Sequence, residues 1–322
     1  MLRPRLFIFS VRKRPPTKLE VPLVLNSRTP AIPVLVCGFA IFILCGMDAG
    51  MKMLVIAVGL YNVVMWRSLL ATVVSGTFWF SAAGTWPTGA VFKVHALRSA
   101  VIGIVILTFF WGLARLPLAD AIGLSFIAPL LALILAAIVL GEKIRVQAIW
   151  ASVAGVVGVA LIMGGQFKLV QYSTDIMQGT VSILFSALFY AFNLILARKQ
   201  AQLAKPIEIM FFQNVMLSIF FLLPAPWLAA GLPTEYWLPL ASITAMSLSG
   251  QFLMSWSYAR AEAQYLIPTE YSAFVWAILF GWIFFNEGVV WTTLVGAALI
   301  IIGCLIAARS NSKLAEPIEV TI

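Results

Sequence analysis

The chain has 322 residues, 62% of them hydrophobic and 10% charged, with a formal net charge of +9. A soluble domain carries charged residues nearer ~25%, so this composition excludes an ordinary globular enzyme and points to a protein of the bilayer. In a soluble protein such a basic excess would suggest nucleic acid; here its placement makes it a topology signal, and no nucleic-acid partner is expected.

Residues 1–30 form a basic tail carrying Arg3, Arg5, Arg12, Lys13, Arg14, Lys18 and Arg28. The tail lacks a short apolar core with a cleavage site, so it reads as cytoplasmic rather than as a secretory signal. An organellar presequence has the same composition. Five apolar runs follow, at 31–49, 57–80, 94–114, 118–140 and 146–163. A break at 164–173 precedes five more, at 179–197, 209–230, 237–258, 266–285 and 289–308. Runs of about 20 residues cross a hydrocarbon core of ~30 Å at ~1.5 Å per residue. The expectation is an all-α integral membrane protein of ten transmembrane helices, with no room for a soluble catalytic domain. The units are 31–163 and 179–308, joined by an external linker at 164–178 and followed by a cytoplasmic tail at 309–322.

Basic residues sort by side. Lys93, Arg98, Lys143, Arg145, Arg198, Lys199, Lys205, Arg260, Arg309 and Lys313 fall in segments on the side of the N-terminal tail; Lys52, Arg115 and Lys168 fall on the other. The positive-inside rule then puts both termini in the cytoplasm. Cys37, Cys45 and Cys304 have no paired spacing, so neither a disulfide nor a metal framework is indicated.

The chain also matches itself at an offset of 145. Trp111 answers to Trp256, Arg115 to Arg260, Ala128 to Ala273, Glu142 to Glu287 and Gly158 to Gly303. With five spans per copy, the second copy enters the membrane from the opposite side, which makes the repeat inverted, an architecture typical of secondary transporters. Gly155, Gly158, Gly296 and Gly303 are expected to serve close helix packing.

Two halves of five spans, each closing on an apolar run that ends in Glu before a glycine-containing span, resemble the EamA type of the drug/metabolite transporter superfamily. The stretch 95–161 carries the likeness best, with Arg98, Trp111 through Arg115, the run Phe126, Ile127, Ala128, Pro129, then Glu142 and Gly158. The second half departs from it by placing Phe274 where the first has Pro129. Asp48 with Lys52, and His95 with Arg98, are most similar to bacterial transporters of S-adenosylmethionine and riboflavin; amino-acid exporters share the fold. The resemblance implies a multi-pass protein of the bacterial inner membrane, with a small-molecule substrate, lipid around it and, in some cases, a homodimer.

Arg67, about 15 Å into its span, is the sharpest single residue. An ionised group at that depth must face a cavity or a partner. It reads either as a donor fork for an anionic or carbonyl-bearing substrate or as a structural ion paired with Asp48 or a helix end. Glu270, after Pro268, reads as a proton-exchanging carboxylate or as a snorkelling one. Asp48 and Lys52 are one turn apart at the outer end of the first span, a spacing that lets them pair, and are expected to anchor that end at the interface. Gln213 superposes on Arg67 at an offset of 146, which makes it the best of the remaining buried amides, ahead of Asn62, Asn193, Asn214 and Gln251. Tyr61, Trp66, Tyr190, Trp256, Tyr271 and Trp276 are candidate aromatic walls. His95 is the lone histidine. No catalytic set, metal cluster or phosphate loop accompanies it, so no enzyme, cofactor or metal is expected. The expected function is a secondary transporter moving a riboflavin-, S-adenosylmethionine- or amino-acid-like metabolite by alternating access, with an efflux pump of the same fold as the alternative and a membrane-embedded enzyme as a remote one.

Overall fold

The computed structural model of the protein describes residues 31–82, 84–140, 146–169, 174–201, 203–258, 260, 266 and 269–311. The basic tail, Glu142 and the residues beyond 311 lie outside the described residues. Among those described the chain is helical, without strands, because in lipid each backbone amide and carbonyl must be satisfied within its own segment. The helices are α1 (Ala31–Val58), α2 (Leu60–Ser81), α3 (Gly89–Leu113), α4 (Leu118–Ser125), α5 (Ala128–Leu140), α6 (Val146–Leu169), α7 (Thr174–Ala201), α8 (Pro206–Leu222), the single turn α9 (Ala225–Leu228), α10 (Trp237–Tyr258), α11 (Ser272–Phe285) and α12 (Trp291–Asn311). Four stretches are each long and apolar enough by themselves to cross a bilayer: Ala31–Val58, Leu60–Ser81, Gly89–Leu113 and Thr174–Ala197. The rest of the ten-helix bundle is built from shorter or interrupted pieces.

Two interruptions are related by the repeat. The run at 118–140 breaks at Phe126 and Ile127, whose amides reach only the carbonyls three residues back, Gly123 at 3.3 Å and Leu124 at 3.2 Å. Pro129 accounts for the break, since it has no N–H and its ring crowds the carbonyl of Ser125. The run at 266–285 turns at Tyr271, the repeat equivalent of Phe126. The expected span at 209–230 likewise stops at Leu222, ahead of Pro224 and Pro226. Helices also outrun the apolar runs. α1 continues past Lys52 to Val58, and α3 begins at Gly89, which draws Lys52 and Lys93 out of the loops where the apolar runs had left them and sets Arg98 deeper in its span. At the expected linker 164–178, α6 reaches Leu169 and α7 starts at Thr174.

Consecutive helices run antiparallel through short connections. An even number of crossings leaves Ala31 and Asn311 at one end of the bundle, called here the proximal end; the turn between α3 and α4 and the segment after α11 stand at the distal end. Two contacts locate the pseudo-two-fold axis. The Thr72 and Ser218 hydroxyls, 146 residues apart, lie 2.8 Å from each other. The Phe126 and Tyr271 rings, 145 apart, meet edge to face with centroids 5.3 Å apart. A residue touching its own repeat equivalent must sit at the axis, so the two broken helices and the α2–α8 crossing mark mid-depth.

α6 and α12 pair most extensively. A Cβ built on Gly158 would lie 2.5 Å from the Gly296 carbonyl oxygen, and one on Gly296 2.5 Å from that of Gly158. The obstruction is backbone, which no rotamer change relieves. Gly158→Ala is therefore expected to destabilise the bundle by about 1–3 kcal/mol, read as a lower midpoint of thermal unfolding in detergent. Gly164→Ala, on the same helix with nothing within 4 Å, should leave the midpoint unchanged.

Candidate functional site

Polar side chains inside the bundle gather at three depths. Near mid-depth, Arg67 stands five residues distal of Thr72 on α2, ~7.5 Å along the axis. Its Nη2 donates to the Ser247 hydroxyl at 3.3 Å, and its Nη1 lies 4.0 Å from the Met47 sulfur. Ser247 also accepts from Gln251 Nε2 at 3.1 Å. Asp48 on α1 interacts with Arg67 electrostatically, but among the described residues no carboxylate is within ion-pair distance of the guanidinium. A guanidinium has five N–H donors in a fixed fork. Most of that fork has no partner among the described residues.

On the proximal side of the axis, Arg98 on α3 donates from Nε to Asn193 Oδ1 at 3.0 Å and from Nη1 to Gln200 Oε1. Gln200 Nε2 in turn faces His95 Nδ1 at 2.5 Å, and His95 Nε2 faces Glu208 at 3.2 Å. The arginine can only donate, so it claims the amide oxygen. The amide NH2 must then point at Nδ1, and the ring proton is left on Nε2 for Glu208. His95 is fully buried and stacks on Phe212, whose neighbour Phe211 stacks on Trp79. This plug joins α2, α3, α7 and α8. Beside it, the Tyr258 hydroxyl donates to Glu270, and Tyr190 interacts electrostatically with both Arg98 and Glu270. Tyr190 is 42% exposed and Tyr258 38%, although their charged partners belong to the interior.

At the distal end Lys52 contacts Glu287 and donates to the Leu116 carbonyl at 2.6 Å, while the other carboxylate oxygen of Glu287 accepts the Leu118 amide at 2.7 Å. The spacing-based pairing of Asp48 with Lys52 is thus corrected. The two are neighbours on one helix, but the tertiary fold gives Lys52 a partner 235 residues away.

The remaining expected site residues fall in different places. Asn193 joins Arg98. Gln213 stands five residues proximal of Ser218, as Arg67 stands five distal of Thr72, so the two flank the axis rather than share a depth. Gln213 makes no hydrogen bond among the described residues. The Tyr61 hydroxyl donates to the Phe221 carbonyl, and Trp66 Nε1 to that of Ala230 at 3.2 Å. Asn62 Oδ1 accepts the Ala230 amide at 2.8 Å. These three tie α2 to α8 and to the segment after it. The Trp256 ring carries the Arg260 guanidinium at 4.3 Å, and Arg260 Nη1 donates to the Trp256 carbonyl at 3.2 Å. Trp111 and Arg115 repeat that clip with 3.5 and 3.0 Å at the opposite end of the bundle. Tyr271 packs on Phe126 at the axis, and Trp276 packs on Phe42 and Phe280.

Sequence reasoning passed over Arg98, Gln200 and Tyr258 as site residues. Arg98 was legible had α3 been started at Gly89, which puts it ~14 Å inside. For Gln200 and Tyr258 no such signal existed, because their significance lies in partners on other helices.

A family model described as the EamA-like transporter family matches residues 31–164 and again 177–309. An uncharacterized transporter of Helicobacter pylori is 28% identical over 195 residues, 59% of this chain; the chain spans 64% of that relative's length. The pseudopaline exporter CntI of Pseudomonas aeruginosa is 26% identical over 217 residues, 67% of this chain and 74% of the relative. A riboflavin transporter of Brucella anthropi is 24% identical over 229 residues, 69% of this chain and 78% of the relative. A crystal structure superposes on 88% of this chain and 99% of its own with a TM-score of 0.60 at 17% identity, which establishes a shared fold.

Proposed function

The chain belongs to the EamA-like transporter family, and from that premise we propose that it is a secondary carrier moving a small organic metabolite through a central hollow by rocking of its two repeats. The observation that supports this best is Arg67. It is a guanidinium held inside an apolar bundle, braced by one serine and one thioether, with a donor fork open to a carboxylate, phosphate or carbonyl. Glu270 on the proximal side is the carboxylate placed to exchange a proton as the hollow changes face. Uptake of labelled metabolites into proteoliposomes, across a panel including riboflavin, S-adenosylmethionine and amino acids, tests the reading. Accumulation supports a carrier, and an embedded enzyme would convert solute without concentrating it. Relatives include both an exporter and a vitamin transporter, so efflux is the second reading, decided by the sidedness of the same flux.

The proposed setting is the bacterial inner membrane, with the proximal end in the cytoplasm. Lys205 between α7 and α8 is proximal, and Gly231 after α9 is distal; both are exposed. In intact cells Gly231→Cys is expected to react with an impermeant thiol reagent, while Lys205→Cys stays protected until the membrane is opened. The reverse pattern would invert the orientation.

A further inference from the structure

Lys52 is 4% exposed, at the far end of a transmembrane helix. Its ammonium touches the Glu287 carboxylate and the Leu116 carbonyl, and lies 4.7 Å from the centroid of the Phe285 ring. The other oxygen of Glu287 accepts the first amide of α4. Asp120, the next carboxylate inward, accepts from the Thr293 hydroxyl at 2.5 Å and interacts electrostatically with both Lys52 and Glu287. Four elements of the distal face therefore converge on this pair: α1 and the α3–α4 turn from the first repeat, the end of α11 and the start of α12 from the second.

Local structure fixes the Glu287 side of the contact. α11 ends in Asn286, with φ of 52°, the left-handed conformation that asparagine tolerates. The Asn286 amide returns to the Trp282 carbonyl and the Glu287 amide to that of Gly281, both at 3.1 Å, which closes the helix end with a left-handed cap residue. A Cβ on Gly281 would lie 2.9 Å from a Glu287 carboxylate oxygen, so the absent side chain makes room for the carboxylate to fold back over the helix. Glu287 consequently travels with α11 as a rigid body. Lys52 travels with α1.

We propose that the Lys52–Glu287 pair is a latch that seals the distal mouth of the hollow and parts whenever the protein opens on that side. This inference rests on the carrier reading. The physics gives the pair two stable arrangements: in contact and dry, or apart with both ions hydrated. Removing one partner leaves an uncompensated charge in the dry arrangement and so favours the hydrated, open one. The proximal closure is of a different kind, an aromatic plug with a chain of hydrogen bonds through His95, Gln200 and Arg98.

The test reads opening without any substrate. Full-length protein with Cys37, Cys45 and Cys304 changed to alanine receives a single cysteine at Ser247, beside Arg67, and is treated in proteoliposomes with an impermeant maleimide from the distal side. Labelling should be slow. Lys52→Met and Glu287→Gln should each speed it about tenfold or more, and the exchanged pair Lys52→Glu with Glu287→Lys should slow it again. Glu287→Gln can still accept the Leu118 amide, so it carries the test alone if Lys52→Met does not fold. Unchanged labelling in Glu287→Gln, or fast labelling in the parent, overturns the latch. If the variants label fast while the parent moves no solute, the latch stands and the carrier reading falls.

Discussion

Transport by Arg67→Lys is expected to fall about ten- to hundredfold, ~1.4–2.8 kcal/mol of lost interaction, with membrane insertion little changed. A lysine keeps the charge beside Asp48 and can still reach the Ser247 hydroxyl. What it loses is the planar fork, which lets one group hold Ser247 and present paired donors to a ligand at once. Arg67→Gln removes the charge as well and should abolish transport. Ser247→Ala removes only a brace and should lower flux modestly. Flux measured in proteoliposomes at matched protein density checks all three. Normal transport by Arg67→Lys, or a loss in Arg67→Gln that follows protein abundance, would make the arginine a structural ion opposite Asp48.

Glu270→Gln is expected to abolish accumulation against a gradient while leaving solute exchange between the two faces intact. A carrier driven by protons must bind and release one as its site faces each side, and Glu270, held by the Tyr258 hydroxyl next to Tyr190, is the acid proposed to do so. Glutamine nearly preserves volume and can still accept from Tyr258, so the site keeps its shape and loses only the exchangeable proton. Counterflow separates the two outcomes: exchange persists in a variant that has lost only coupling. If Glu270→Gln still concentrates solute under an imposed pH gradient, protons are not carried there. Facilitated diffusion through the same hollow is then the better reading.

The sequence by itself determined the class of protein and its symmetry. Ten apolar runs leave the backbone no option in lipid but helix, and the offset of 145 residues links Trp111 with Arg115 to Trp256 with Arg260 in a contact that recurs at both ends of the bundle. Arg67 was legible for the same reason: an ion inside an apolar run is conspicuous in one dimension. Helix ends were less legible, because α1 and α3 extend beyond the hydrocarbon-length apolar runs, carrying Lys52 inside and setting Arg98 deeper. The fold alone decided what each ion meets. Lys52 looked paired with Asp48 one turn away, yet its partner is Glu287, because α1 and the end of α11 converge where the repeats meet. Tyr61 and Trp66 were legible only as aromatics of α2; the fold decided that they bind the backbone of Phe221 in α8 and of Ala230 beyond it. Spacing along a helix fixes which face a residue occupies; which helix lies opposite that face depends on packing between segments far apart in the chain. The polar contacts that distinguish a site from an apolar bundle are made across that packing.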